Sequence, residues 1–373
     1  MRASSAASDV RFRMNRDTIN NIALPIGAIV AALGVFGVFV SFAGVNPVEV
    51  WLLLFKGAFG DWFSWQNTLQ RAAPLMLTAL CVAVPARAGL VVIGGEGALV
   101  LGGLACATAA HSLPLPGGVA GSAVVCAAGA LAGALWVGLA GWLRQYRGIN
   151  ETISSLLLAY IAIGVFKHLV EGPLRDPASL NKPATYSLPE SLAIGGIAGS
   201  DVHWGLLLGV AACVGLAIWM RWSASGFSVR VVGGNPRAAQ LVGLPASRLI
   251  LLACALGGAC AGLAGAVEVA AVHTNANVAL IAAYGYTGIL VSFIARHNPL
   301  AIIPVAILFG GFGAAGSMLQ RRLGLPDASV LVLQGVAFVL ILASEAMRGV
   351  EWKTVLRLPT RPPETGPNKV VLP

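Results

Sequence analysis

The sequence predicts an all-α polytopic membrane protein of about ten transmembrane helices, both termini cytoplasmic. Three observations predict it. Of 373 residues, 57% are hydrophobic and only 10% are charged, against about a quarter charged in ordinary soluble domains. Mean hydropathy is +0.82. The apolar residues also gather into runs of the length a helix needs, about 20 residues, to cross a bilayer core of roughly 30 Å. A soluble fold could not hide so much apolar surface with so few charges. The same composition excludes a disordered chain, a collagen repeat and a disulfide scaffold.

The candidate spans are 21–44, 69–86, 89–110, 117–143, 150–170, 203–221, 248–271, 279–295, 299–318 and 328–346. The first follows Arg11, Arg13 and Arg16 and is too long for a signal-peptide core, so it reads as a retained helix after a cytoplasmic segment, 1–20. The second is the weakest, because Pro74 and Pro85 lie within it. Residues 21–348 read as one transmembrane domain with three long extramembrane stretches. The stretch 45–67, outside, carries Trp51, Trp62, Phe63 and Trp65 at an interface-like density. The stretch 171–203, outside, is rich in proline, and 222–247, inside, is polar and helix-capable. The tail 349–373 has four prolines from Thr360 onward and is expected to be a disordered cytoplasmic segment. With the N-terminus inside, the inner loops collect most Lys and Arg, including Arg144, Arg147, Arg230, Arg237 and Arg248; the outer side receives Lys56, Arg71, Arg175, Lys182, Arg321 and Arg322. This asymmetry accounts for the net charge of +9 without any nucleic-acid partner.

Several chemistries are missing from the sequence. It has no G-x-x-x-x-G-K-[ST] loop for ATP phosphates, no H-E-x-x-H and no G-x-S-x-G. The five histidines are scattered, and the six cysteines lie singly in apolar stretches as small core residues, so no metal site is expected. One G-x-G-x-x-G, Gly311–Gly316, sits in a span with no strand before it and reads as helix packing. The GxxxG pairs Gly129/Gly133, Gly205/Gly209 and Gly258/Gly262 read the same way, since small residues let helix backbones approach in lipid.

Three segments rise above packing. Glu96, between Gly95 and Gly97, is a carboxylate inside an apolar span. Such a group belongs on a pathway or at a helix break, or in a structural hydrogen bond. The segment Gly94–Leu99 echoes Gly285–Leu290, where Tyr286 and Thr287 are candidate solute contacts. A two-half internal repeat around a transport path is one explanation, and chance likeness of short segments is the other. Asn150, Glu151 and Ser154 open the fifth span as a helix cap or a cytoplasmic gate; Asn150 suits an N-cap and Glu151 the positive end of the helix dipole. In the loop 222–247, Asn235 reads as N-cap, Pro236 as first helical residue, and Arg237, Ala238 and Ala239 as a short helix that Gly243 ends. A capped helix between two spans is a handle for another protein, or else an interfacial helix.

These residues resemble a known family: the permease subunits of bacterial ABC importers for branched-chain amino acids and simple sugars, and within it the nucleoside-type permeases that work with basic-membrane-lipoprotein binding proteins. The likeness runs over roughly 20–348. It is carried by G-G-E-G at Gly94–Gly97, N-E-T-I-S-S at Asn150–Ser155, G-G-N-P-R-A-A at Gly233–Ala239, G-x-x-A-G-L-A-G at Gly258–Gly265 with Glu268, G-Y-T-G-I at Gly285–Ile289 and A-S-E at Ala343–Glu345. Ser155 stands where threonine is expected. The resemblance implies a bacterial inner-membrane protein that moves a small polar solute, a nucleoside first, then a simple sugar or a branched-chain amino acid. It also implies a second permease subunit, usually a different chain, an extracytoplasmic solute-binding protein or lipoprotein, and two ATP-binding subunits that carry the ATP and Mg, none of it bound by this chain. The segment Asn235–Ala239, ending at Gly243, would be the coupling helix those subunits grip. Two other classes fit the residues less well. An ion-coupled secondary transporter would want more intramembrane carboxylates than Glu96, and a membrane-embedded enzyme would need a metal or nucleophile constellation.

Overall fold

The computed structural model describes residues 27–346 apart from Ala198 and Asp327; the segment 1–20 and the tail 349–373 lie outside the described residues. The chain divides into two compact units. One is 33–336, and the described parts of the other are 27–32 and 337–346. The described residues are helical and contain no strand, only the isolated bridges Ala184–Asn277 and Gly196–His203.

The helices are α1 (Gly27–Phe42), α2 (Pro47–Phe55), α3 (Trp62–Arg87), α4 (Gly95–Ser112), α5 (Val119–Arg147), α6 (Glu151–Glu171) and α7 (Gly205–Trp222). Then follow α8 (Ala224–Gly234), α9 (Pro236–Leu241), α10 (Ala246–Val267), α11 (Tyr284–Ile294), α12 (Pro299–Leu323) and α13 (Ala328–Ala346). Among the described residues, six helices are long and apolar enough to cross a membrane: α3, α5, α6, α7, α10 with its π-helical extension Glu268–His273, and α12. Each of the ten expected spans overlaps a helix, but α4 is not among these six, and α1, α11 and α13 are shorter apolar segments.

Local chemistry explains the boundaries. Three Asn-Pro pairs start helices: the side chains of Asn46, Asn235 and Asn298 each accept a backbone N–H of the first turn, and Pro47, Pro236 and Pro299 stand at the first helical position. Gly148 and Gly324 end α5 and α12 in the left-handed conformation, both at φ 67°.

Four expectations change. The span thought weakest, 69–86, lies within the 26-residue helix α3, buried over most of its length despite Pro74 and Pro85. Residues 45–67 carry helix, α2 and a π-helical turn at Lys56–Gly60, rather than a plain connection. Residues 89–94 are not helical, so the third span begins only at Gly95. The eighth shrinks to the 11 residues of α11, because Ala283 adopts φ 59° and interrupts the run before Tyr284.

Glycine sets the interior. Gly129 and Gly133 of α5 face Gly258 and Gly262 of α10 so closely that a Cβ on any of the four would meet backbone of the other helix. Gly102 of α4 is pressed on Gly262 in the same way. The three helices therefore pack backbone to backbone, which is where dispersion gains most when lipid removes the hydrophobic drive between helices. All six cysteines are buried and free.

Candidate functional site

The two echoing segments meet in space. Gly285, in the first turn of α11, is pressed against the backbone of Glu96 in the first turn of α4, and a Cβ there would collide. The Glu96 side chain is fully buried (0% exposed). Its carboxylate accepts two backbone N–H groups, from Ala283 at 2.9 Å and from Gly285 at 2.6 Å. These are orphan donors at a helix start, where the dipole also favours an anion. Glu96 is thus an N-cap supplied from another helix. Gly95 lies 3.6 Å, at its Cβ position, from the Gly285 Cα, and Gly97 lets α4 close on Ala159 of α6.

The N-terminus of α6 holds the approach to α4. The Thr152 hydroxyl donates to the Val91 carbonyl at 2.9 Å, and the Ser155 hydroxyl accepts from the Ile93 N–H at 3.0 Å. These bonds take up backbone groups of the non-helical stretch 89–94. Asn150 caps α6 by accepting from Thr152 and Ile153, Glu151 pairs with Arg144 at 3.3 Å, and the Ser154 hydroxyl bonds back to the Glu151 carbonyl.

Beside the start of α11 lies a cavity of about 230 Å³ between α3, α11, α12 and α13. Its polar lining comes from Arg71, Tyr284, Thr287 and Gln334. The Thr287 hydroxyl donates to Gln334 Oε1 at 3.1 Å, and the Tyr284 carbonyl accepts from Thr78 at 3.0 Å. Arg71 stands beside the Tyr284 hydroxyl, and Glu268 Oε2 is 3.6 Å from His273 Nε2. Gly310, Gly313 and Gly316 contribute to the α12 wall, while Gly311 packs on Ala58 and Phe59, so the G-x-G-x-x-G serves both open space and close packing. Tyr286 points elsewhere, toward Tyr160.

The second candidate region is the segment between α7 and α10. It holds two helices where the sequence suggested one. Asn235 accepts from the Ala238 N–H at 3.0 Å to open α9. Gly243 (φ 83°) closes it, with the Leu244 N–H donating to the Ala239 carbonyl at 3.0 Å. Arg237, Leu241 (89% exposed) and Val242 face outward, whereas Ala239 is buried in a cluster with Val84, Ala88, Val232 and Ile250. The outer surface of α9 is free for a partner while its inner surface is packed on the ends of α3 and α10. Gly233 of α8 also sits against the Arg87 carbonyl. Arg87 in turn donates from Nε to the His297 carbonyl at 3.0 Å and from Nη2 to the Arg296 carbonyl at 3.5 Å. It thereby latches the turn between α11 and α12, where Arg296 and His297 both hold positive φ (52° and 54°).

Of the residues singled out from sequence, Gly95, Glu96 and Gly97 gather at the α4–α11 crossing and Thr287 lines the cavity. Asn235–Ala239 and Gly243 form a separate region. Sequence reasoning missed Arg71, Tyr284, Gln334 and Arg87. Arg71 carried a readable signal, a charge next to an apolar run, but it was counted as an external-loop residue; the structure puts it inside α3.

Two helix starts that meet through Gly95 and Gly285 beside a polar cavity, with a half-exposed capped helix for a partner to hold, suit the membrane subunit of a transporter. Residues 64–342 match the family described as the permease component of the branched-chain amino acid transport system, and the chain belongs to that family. It is similar to the glucose ABC transporter permease protein TsgB13 of Haloferax volcanii, at 32% identity over 86% of this chain and 87% of that protein. It is also similar to the guanosine ABC transporter permease protein NupP of Bacillus subtilis, at 25% identity over 90% and 97%. The nucleoside ABC transporter permease protein NupB of Lactococcus lactis is 27% identical over 79% and 84%. The chain is therefore a multi-pass ABC transporter permease.

Proposed function

We propose that this chain forms the path for a nucleoside through the cytoplasmic membrane of a bacterium, as one permease of an ABC importer. Ten membrane segments with both termini cytoplasmic suit the distribution of Lys and Arg. The single observation that carries the importer reading is α9, capped at both ends, rooted in the core by Ala239 and exposing Arg237, Leu241 and Val242. Such a helix can be gripped from outside and can move the helices beneath it. Two ATP-binding subunits, with their ATP and Mg, would grip it; a second, unlike permease would complete the path, and an extracytoplasmic binding protein would deliver solute. Similarity to the permeases for guanosine and other nucleosides supports the solute. The 32% identity to a glucose permease favours a second reading, a simple sugar.

The test is a pull-down of the tagged chain from native membranes in mild detergent. A P-loop ATPase and a second permease should come with it, and Leu241→Asp should cut the recovered ATPase about tenfold, the loss of an apolar contact in a partner cleft. A folded chain recovered alone contradicts the reading. Uptake of radiolabelled guanosine against glucose then separates the two solutes.

A further inference from the structure

Resting on the importer reading, we infer that the cavity between α3, α11, α12 and α13 is a solute-binding station for a hydroxyl-bearing molecule, with Arg71, Thr287 and Gln334 as contact residues. Size is the first argument. At about 230 Å³ the cavity is several times the roughly 30 Å³ share of one water, which is room for a small organic molecule. Chemistry is the second. The Thr287–Gln334 bond uses the Thr287 proton and the Gln334 oxygen. The Gln334 amide nitrogen stays as donor and the Thr287 oxygen as acceptor. Arg71 adds a fork of further donors. Sugar hydroxyls, which both give and accept, match such a mixed set.

The wall is the third. Gly313 leaves the space beside the Arg71 side chain open, its missing Cβ falling 3.5 Å from Arg71 Cδ, so α12 lends volume where α3 and α11 lend polar groups. Thr287 is held in place through α11, whose first turn Glu96 fixes.

The experiment measures concentration-dependent uptake by cells carrying the whole importer, with guanosine, uridine, ribose, glucose and leucine as probes. The wild type should carry a nucleoside or a sugar. Arg71→Ala should raise KM for that solute about 10- to 100-fold, the loss of a charge-assisted hydrogen bond. Thr287→Val and Gln334→Leu, which keep shape, should each raise it several-fold with Vmax little changed. Recovery of the ATP-binding subunit with each variant checks assembly, and the two shape-keeping variants decide the matter where Arg71→Ala does not assemble. A wild type that carries its solute while Thr287→Val and Gln334→Leu leave KM unchanged overturns the cavity assignment alone. Carriage of leucine, which has no hydroxyl, overturns the solute class. Carriage of none of the probes, with no ATPase recovered, overturns the importer reading and the station with it.

Discussion

Glu96 shows how one side chain can define a crossing. A buried carboxylate is costly unless its oxygens are satisfied. Here both are, by N–H groups that a helix start would otherwise leave unpaired. The carboxylate and the amides need each other, so neither can be removed alone without leaving a buried polar group. Glu96→Ala should expose that asymmetry. It strands the Ala283 and Gly285 amides at about 1–3 kcal/mol for each unsatisfied group, and the melting temperature of the detergent-purified protein should fall by several degrees. Glu96→Gln keeps one acceptor oxygen and should fall between the two. A melting temperature for Glu96→Ala equal to wild type would mean that α11 holds its first turn without this cap. Gly285 makes the arrangement sterically possible, because any Cβ would strike the Glu96 backbone.

The turn between α11 and α12 is an element held rather than one that holds itself. Arg296 and His297 both lie in the left-handed region that non-glycine residues rarely enter. Two bonds from Arg87 and the 2.9 Å contact between Ser292 Oγ and His297 Nδ1 keep them there. Burial, and then the Arg87 charge, push the His297 imidazole down to about 4, against about 6.5 in an unfolded chain. Between those values the unfolded chain binds a proton that the folded one refuses. This contribution to stability is therefore full above about pH 6.5 and is lost as pH falls toward 4. The melting temperature should fall from pH 7 to pH 5, and the fall should shrink in His297→Gln; an unchanged fall would assign the whole effect to other groups. None of this turn was legible in the sequence, because Arg87 and His297 are brought together only by tertiary packing. The α9 handle was legible, because Asn235, Pro236 and Gly243 act on backbone groups a few residues away. The extent of α11 misled, since the apolar run continues through 279–283 while the backbone does not stay helical.

Across the molecule these pieces form a chain of rigid parts. Composition and run length made the helical class plain, because apolar runs must become helices in lipid. Only Thr287 of the cavity was legible; Arg71 and Gln334 come from other helices far apart in sequence, and each alone reads as an isolated polar residue. Once assembled, α3 carries Arg71 at the cavity and Arg87 at the latch, about 24 Å apart along the helix. The α8–α9 pair packs on the Arg87 end through Gly233, Val232 and Ala239. From the latch, α11 runs back to Thr287 at the cavity, so movement of α9 has two parallel rods by which to reach the solute, and Arg87 joins them. Arg87→Ala should therefore separate hydrolysis from transport. The importer should still assemble and hydrolyse ATP, its KM for solute should stay near wild type, and its maximal uptake rate should drop about tenfold, the cost in rate of roughly 1.4 kcal/mol. Arg87→Lys, which can reach one carbonyl but not fork to two, should recover part of the rate. Uptake and hydrolysis measured side by side on the same preparation decide it. If both fall in proportion, Arg87 serves assembly alone and the rods move without it.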